Sequence, residues 1–178
     1  GRLAIESMQP HCSAEEWQAR IDLAACYRLV DLYGLSDMMA NHISSAVPGE
    51  HGAFLINPYG MMYEEITASS LIKVDLAGTI LAKPDFGALD YGINRAGYVI
   101  HSAVHEARPE VACVMHTHAP HGVAVAAQAE GLPLTAVRCD VNSPHDWQAL
   151  LGRGTPLYEE GVAVLCHAAG FTREGRTA

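Results

Sequence analysis

A chain of 178 residues, 49% of them hydrophobic and 17% charged, can bury one sizeable core and is too apolar for a disordered segment. Eleven basic against twenty acidic residues leave a formal charge of -9 with no basic stripe, which argues against a nucleic-acid partner. The five cysteines (Cys12, Cys26, Cys113, Cys139 and Cys166) are scattered, odd in number and without a Cys-x-x-Cys pair, so a disulfide framework or zinc ribbon is not expected and a reducing cytoplasm is the simplest location.

The N-terminus has no basic start followed by an apolar core, so it does not read as a signal peptide, and residues 1–12 read as a flexible segment ahead of one domain, 13–178. Ser13-Ala-Glu-Glu16 has the form of a capping box. It predicts a helix through Trp17, Ile21, Leu23, Ala24, Tyr27, Leu29, Val30 and Tyr33 that stops at Gly34. Residues 42–47 predict a strand closed by Pro48-Gly49, with 53–56 as its antiparallel neighbour. Asn57-Pro-Tyr-Gly60 is a tight turn by composition. A short helical turn at 67–70, a strand at 72–75, a hairpin at Gly78 and a strand at 79–82 follow. Beyond a loop at 83–93, a helix from about Ala96 to Ala107 carries Ile100, Val104 and the pair His101 and His105 on one face. Residues 111–118 predict a strand and 122–128 another helix. No apolar run reaches the length of a membrane span, so a soluble protein with no membrane partner is expected. Antiparallel hairpins with flanking helices predict a layered α/β sandwich, and neither a Gly-x-Gly-x-x-Gly turn, a phosphate-binding P-loop nor an internal repeat is present.

Chemistry concentrates at Val111-Ala-Cys-Val-Met-His-Thr-His118. In a strand alternate side chains share a face, so His116 and His118 project together and can grip one metal ion. Spacing alone also allows an ordinary polar strand end, and a zinc centre needs at least one further protein ligand. His101-Ser-Ala-Val-His105 lacks the glutamate of a His-Glu-x-x-His protease, so His101 reads as support behind the strand site and His105 as a solvated or core-edge residue. Asn41-His-Ile-Ser44 and Asn57-Pro-Tyr-Gly60 offer amides, a hydroxyl and backbone N–H groups that suit an anion, or are simply hairpin turns. No Gly-x-Ser-x-Gly elbow supports a serine nucleophile.

These segments together carry a resemblance. Asn41-His-Ile-Ser44, Phe54-Leu-Ile-Asn-Pro-Tyr-Gly60, Glu65-Ile-Thr67, Val74-Asp-Leu-Ala-Gly78, Asn94-Arg-Ala-Gly-Tyr98, His101-Ser-Ala-Val-His105, Ala107-Arg-Pro-Glu-Val111 and His116-Thr-His118 follow the order of the class II aldolase/adducin family. The resemblance runs from about Trp17 to Pro133 and is closest to the adducin-type branch with its bacterial members. It implies a three-layer α/β/α sandwich with a mixed, mainly antiparallel sheet, assembled as a homo-oligomer, usually a tetramer, with sites at subunit interfaces. It also implies a divalent metal, Zn2+ or alternatively Mn2+, that polarises the carbonyl of a small substrate for carbon–carbon cleavage, epimerisation or decarboxylation. His116 and His118 match its metal ligands, and Asn41, Ser44, Asn57 and Gly60 fall in the segments that bind the substrate phosphate or carboxylate.

Two departures qualify the expectation. The sugar-phosphate-cleaving enzymes carry an acid/base glutamate where this chain has Gly97, and no proton-transfer residue takes its place in the sequence. The family's third histidine comes from an Asn-His-Gly segment absent here, so His167 is the substitute, with His145 a weaker one, and the pattern diverges or is truncated from about residue 135. The alternative reading is therefore a non-catalytic, adducin-like structural or assembly domain.

Overall fold

The structure, a computed structural model, describes residues 4–119. The expected helix at 122–128, His145, His167 and the divergent C-terminal part lie outside the described residues. Helix α1 (Ala14–Leu32) opens where Ser13 Oγ accepts the Glu16 N–H at 3.0 Å. Only half of the expected capping box forms. The Glu16 carboxylate turns inward to Arg20 Nε at 2.8 Å and Lys73 Nζ at 2.9 Å, because two cations compete with one backbone N–H. Glu16, Arg20, Leu23, Ala24, Tyr27 and Val30 form the buried stripe of α1, and Gly34 closes it at φ +67°.

Five strands follow: β1 (His42–Ala46), β2 (Ala53–Ile56), β3 (Ile72–Asp75), β4 (Ile80–Ala82) and β5 (Cys113–His116). A 3-10 turn at Tyr63–Glu65 precedes β3. Helix α2 (Arg95–Ala107) crosses between β4 and β5, capped by Asn94 Oδ1, which accepts from Ala96 N at 3.0 Å and Gly97 N at 3.4 Å. The sheet order is β4-β3-β2-β1-β5 and every pairing among the described strands is antiparallel.

The pleat sorts the two helices onto opposite faces. Lys73 reaches Glu16 of α1, and its cross-strand partner Leu55 points the same way. Ser44 and Phe54 meet His101 and His105 of α2 on the other face. The result is a three-layer α/β sandwich. Its main core gathers Leu23, Tyr27, Val30, Ile43, Leu55, Ile66 and Leu71 around α1 and the sheet, and a smaller cluster joins Ile100, Ala103 and Val104 to Val114. Among the described residues no helix is long and apolar enough to cross a membrane.

Strand β5 is shorter than the expected 111–118. It ends at His116 because that residue pairs with His42, the first residue of β1, and no ladder partner remains beyond it. His118 therefore stands just past the strand.

Candidate metal centre

Antiparallel pairing sets His42 directly across from His116 and Ser44 across from Val114. The α2-facing surface of β1 and β5 thus carries His42, Ser44 and His116, and α2 lowers His101 and His105 onto it. His116 and His118 come together as expected, with ring centroids 4.8 Å apart. His42 lies 5.4 Å from His116 and 5.9 Å from His101, centroid to centroid. Four imidazoles therefore form one cluster at this end of the sheet.

Each ring has its own anchor. His118 Nδ1 lies 2.8 Å from Asp37 Oδ2, while its Nε2 is buried and has no hydrogen-bond partner among the described residues. The Ser44 hydroxyl is shared between His101 Nδ1 at 2.6 Å and His105 Nε2 at 2.8 Å. Burial drives the His101 pKa well below its ordinary value, and the neighbouring rings of His42, His105 and His116 push the same way, so it stays neutral. Burial likewise brings His105 down to about 4, partly offset by its hydrogen bond to the Val111 backbone. Deprotonated imidazoles are the form that binds metal.

Of the expected anion-binding residues, Ser44 lies in β1, Asn41 just before it, and Asn57 and Gly60 just after β2. Asn41 is buried, with Oδ1 accepting the Asp37 N–H and Nδ2 left without a partner among the described residues. Asn57 is also buried, and its Oδ1 and N–H both meet the Tyr27 hydroxyl, at 2.8 and 3.2 Å. The same hydroxyl accepts the Ile43 N–H at 2.9 Å, so Tyr27 staples the Asn41-to-Ser44 segment to the turn at 57–60. Gly60 adopts φ +112°, and a Cβ there would stand 2.8 Å from Tyr91 Cε1. That turn is further tied by Tyr59 N to the Gly92 carbonyl at 2.8 Å. Asn41, Asn57 and Gly60 thus sit on rigid backbone, whereas the Ser44 hydroxyl is already engaged by two rings.

Among the described residues no set of three or more His, Cys, Asp or Glu side chains is placed to hold a metal ion. The donor pair that is described nonetheless suits one. An imidazole held at Nδ1 by a carboxylate with Nε2 left over is the arrangement that orients a metal-binding histidine. A metal centre needs at least one protein ligand beyond this pair.

Two participants were not singled out in the sequence. Asp37 lies in a segment without periodicity, so nothing local links it to a histidine eighty-one residues on. His42 is visible in its motif, but its pairing with His116 exists only once β1 and β5 are in register. Position 97 gains its meaning the same way: a Cβ on Gly97 would lie 2.6 Å from His42 Cγ and Cδ2.

A three-layer α/β domain with an imidazole cluster at the end of an antiparallel sheet defines the class, and comparison with known proteins gives the family. Residues 21–161 match the model described as Class II Aldolase and Adducin N-terminal domain. The chain belongs to that family. It is 55% identical over 136 residues to a Caulobacter vibrioides protein provisionally named a class 2 aldolase, covering 76% of this chain and 51% of the relative. It is 44% identical over 135 residues to alpha-adducin of Rattus norvegicus, covering 74% of this chain and 18% of that one. Among solved structures, an aldolase II superfamily protein from Pseudomonas syringae superposes with a TM-score of 0.70 at 39% identity, covering 83% of this chain and 65% of the other. The chain spans about half the length of its bacterial relative and much less of the adducin.

Proposed function

We propose that this domain is the metal-binding part of a lyase-type class II enzyme acting on a small hydroxy-carbonyl or carboxylate compound. The observation that carries the reading is His118, fixed at Nδ1 by Asp37 with Nε2 left over beside His116. His116 and His118 would hold a divalent ion, Zn2+ or alternatively Mn2+, with His167 the candidate third ligand. Such an ion supplies Lewis-acid polarisation of a substrate oxygen. The chain's own residues do the rest. Asp37 orients the His118 ring, burial keeps His101 neutral, and Asn41 Nδ2 with the backbone of the turn at Asn57 and Gly60 would position the anionic end of the substrate. Carbon–carbon cleavage, epimerisation and decarboxylation are the reaction types such an ion would serve. Exposed Leu29, Leu32 and Tyr33 on and just after α1 support a homo-oligomer, and free Cys12, Cys26 and Cys113 fit a cytoplasmic location.

A second reading, a non-catalytic adducin-like assembly domain, is favoured by one observation. Position 97 has no side chain, and the space beside it is filled by the His42 ring. Metal analysis of the purified chain beside a His116→Ala/His118→Ala variant separates the two. Near-stoichiometric zinc or manganese that vanishes in the variant is the expected result. A wild type that takes up no ion after incubation with either metal favours the assembly domain.

A further inference from the structure

The His42–His116 contact has a direction that follows from the protons. Their Nδ1 atoms are 3.3 Å apart, with ring planes tilted by 32°. Two neutral imidazole nitrogens at that distance form a hydrogen bond only if one carries the proton and the other offers its lone pair. For His116 to bind a metal through Nε2, that nitrogen must be the bare one, so the proton sits on Nδ1 and is donated to His42 Nδ1. His42 then carries its own proton on Nε2.

The neighbouring rings are assigned separately. His105 uses Nε2 for Ser44, so its bond to the Val111 backbone carbonyl comes from Nδ1–H. His105 Nε2 therefore accepts the Ser44 proton, and the Ser44 oxygen accepts from His101 Nδ1–H. His101 Nε2 is left as a bare lone pair, fully buried and without a hydrogen-bond partner among the described residues. The ring set nearly perpendicular to it is that of His42, 5.9 Å away centroid to centroid.

Helix α2 holds His42 from above. A Cβ at position 97 would stand 2.6 Å from Cγ and Cδ2 of the ring and 2.8 Å from Nε2, a separation real Cβ atoms do not reach. Gly97 is thus explained by close approach: the helix backbone presses directly on the imidazole and leaves it little room to turn.

We propose that His42 is a positioning residue, locked between Gly97 and His116, that accepts the Nδ1–H of His116 and thereby aims His116 Nε2 at the metal. The inference rests on the metal reading above. An imidazole in this place does what a carboxylate or carbonyl does behind most metal-binding histidines, without adding a negative charge to the site.

The test uses the full chain. In the metal-free protein, nitrogen-15 histidine spectra should show His116 protonated at Nδ1 and His42 at Nε2, and the reverse assignment at His116 overturns the proposal. His42→Phe keeps an aromatic ring, slightly larger, but removes the acceptor. It should bind Co2+ about 10- to 100-fold more weakly, the usual loss for a partner behind a ligand, with an altered visible spectrum. His42→Asn, which returns an oxygen close to the lost nitrogen, should recover most of the affinity and the spectrum even where the phenylalanine variant folds poorly. Wild-type cobalt affinity and spectrum in a folded His42→Phe protein overturn the proposal alone. A wild type that takes up neither zinc nor cobalt overturns the metal reading and this inference with it.

Discussion

At the scale of single residues, the cluster is a set of mutually dependent contacts, and its variants should behave accordingly. Gly97→Ala forces a methyl group into the His42 ring, and overpacking of that kind costs about 1 to 3 kcal/mol. Urea denaturation should show that loss, and His42→Ala in the same chain should relieve much of it, giving a non-additive double-mutant cycle. Ser44→Ala strands a nitrogen on each of two buried rings and should cost about 1 to 3 kcal/mol by the same measurement. Ser44→Cys, which keeps a weak donor of similar size, should fall between the two. The pair His116 and His118 was legible because a two-residue spacing is a local property, although only His116 lies in β5. Ser44 was legible as a polar residue on a strand, but its engagement by two rings fifty-seven and sixty-one residues away was not.

At the scale of elements, two buried side chains tie α1 to the sheet. Arg20 is fully buried, with Nε on Glu16 and Nη1 donating to the carbonyls of Leu71 at 2.8 Å and Ala68 at 3.3 Å. Burial alone would raise the Glu16 pKa, but Lys73 and Arg20 together outweigh it and hold the carboxyl below its ordinary value. Glu16→Ala leaves Arg20 without its counter-charge and should cost about 3 kcal/mol, the low end for breaking a buried pair because the two carbonyls remain. Tyr27→Phe removes a hydroxyl that touches β1 and the end of β2, and a loss of about 1 to 3 kcal/mol in chemical denaturation is expected. If the anion-positioning role of the turn at 57–60 is right, that variant should also bind the substrate anion more weakly without losing metal. The start of α1 was readable at Ser13, whereas the fate of Glu16 was not, since a capping box is local and Lys73 arrives from another layer.

At the scale of the whole molecule, the buried neutral histidines make stability pH-dependent in a defined window. The His105 pKa falls from 6.5 when unfolded to about 4 when folded, so the unfolded chain takes up a proton first as pH drops. Stability is therefore full above about pH 6.5 and declines as pH falls toward 4, by about 3 kcal/mol for this residue, with His101 acting in the same direction. Denaturation midpoints measured between pH 7.5 and 4.5 should fall steeply, and His105→Gln should flatten the slope. Loss of the Glu16 pairing begins lower, below its ordinary carboxyl pKa, and does not mimic this window. By itself the sequence determined the Ser13 cap of α1, the hairpin turns, the alternation of antiparallel strands and the histidine pair His116 and His118, because each depends on neighbours a few residues apart. Only the tertiary structure decided that β1 and β5 pair with His42 against His116, that Asp37 stands behind His118, and that Gly97 gives its space to an imidazole. Those are contacts between residues fifty-five or more positions apart, and they exist only after the sheet register is set.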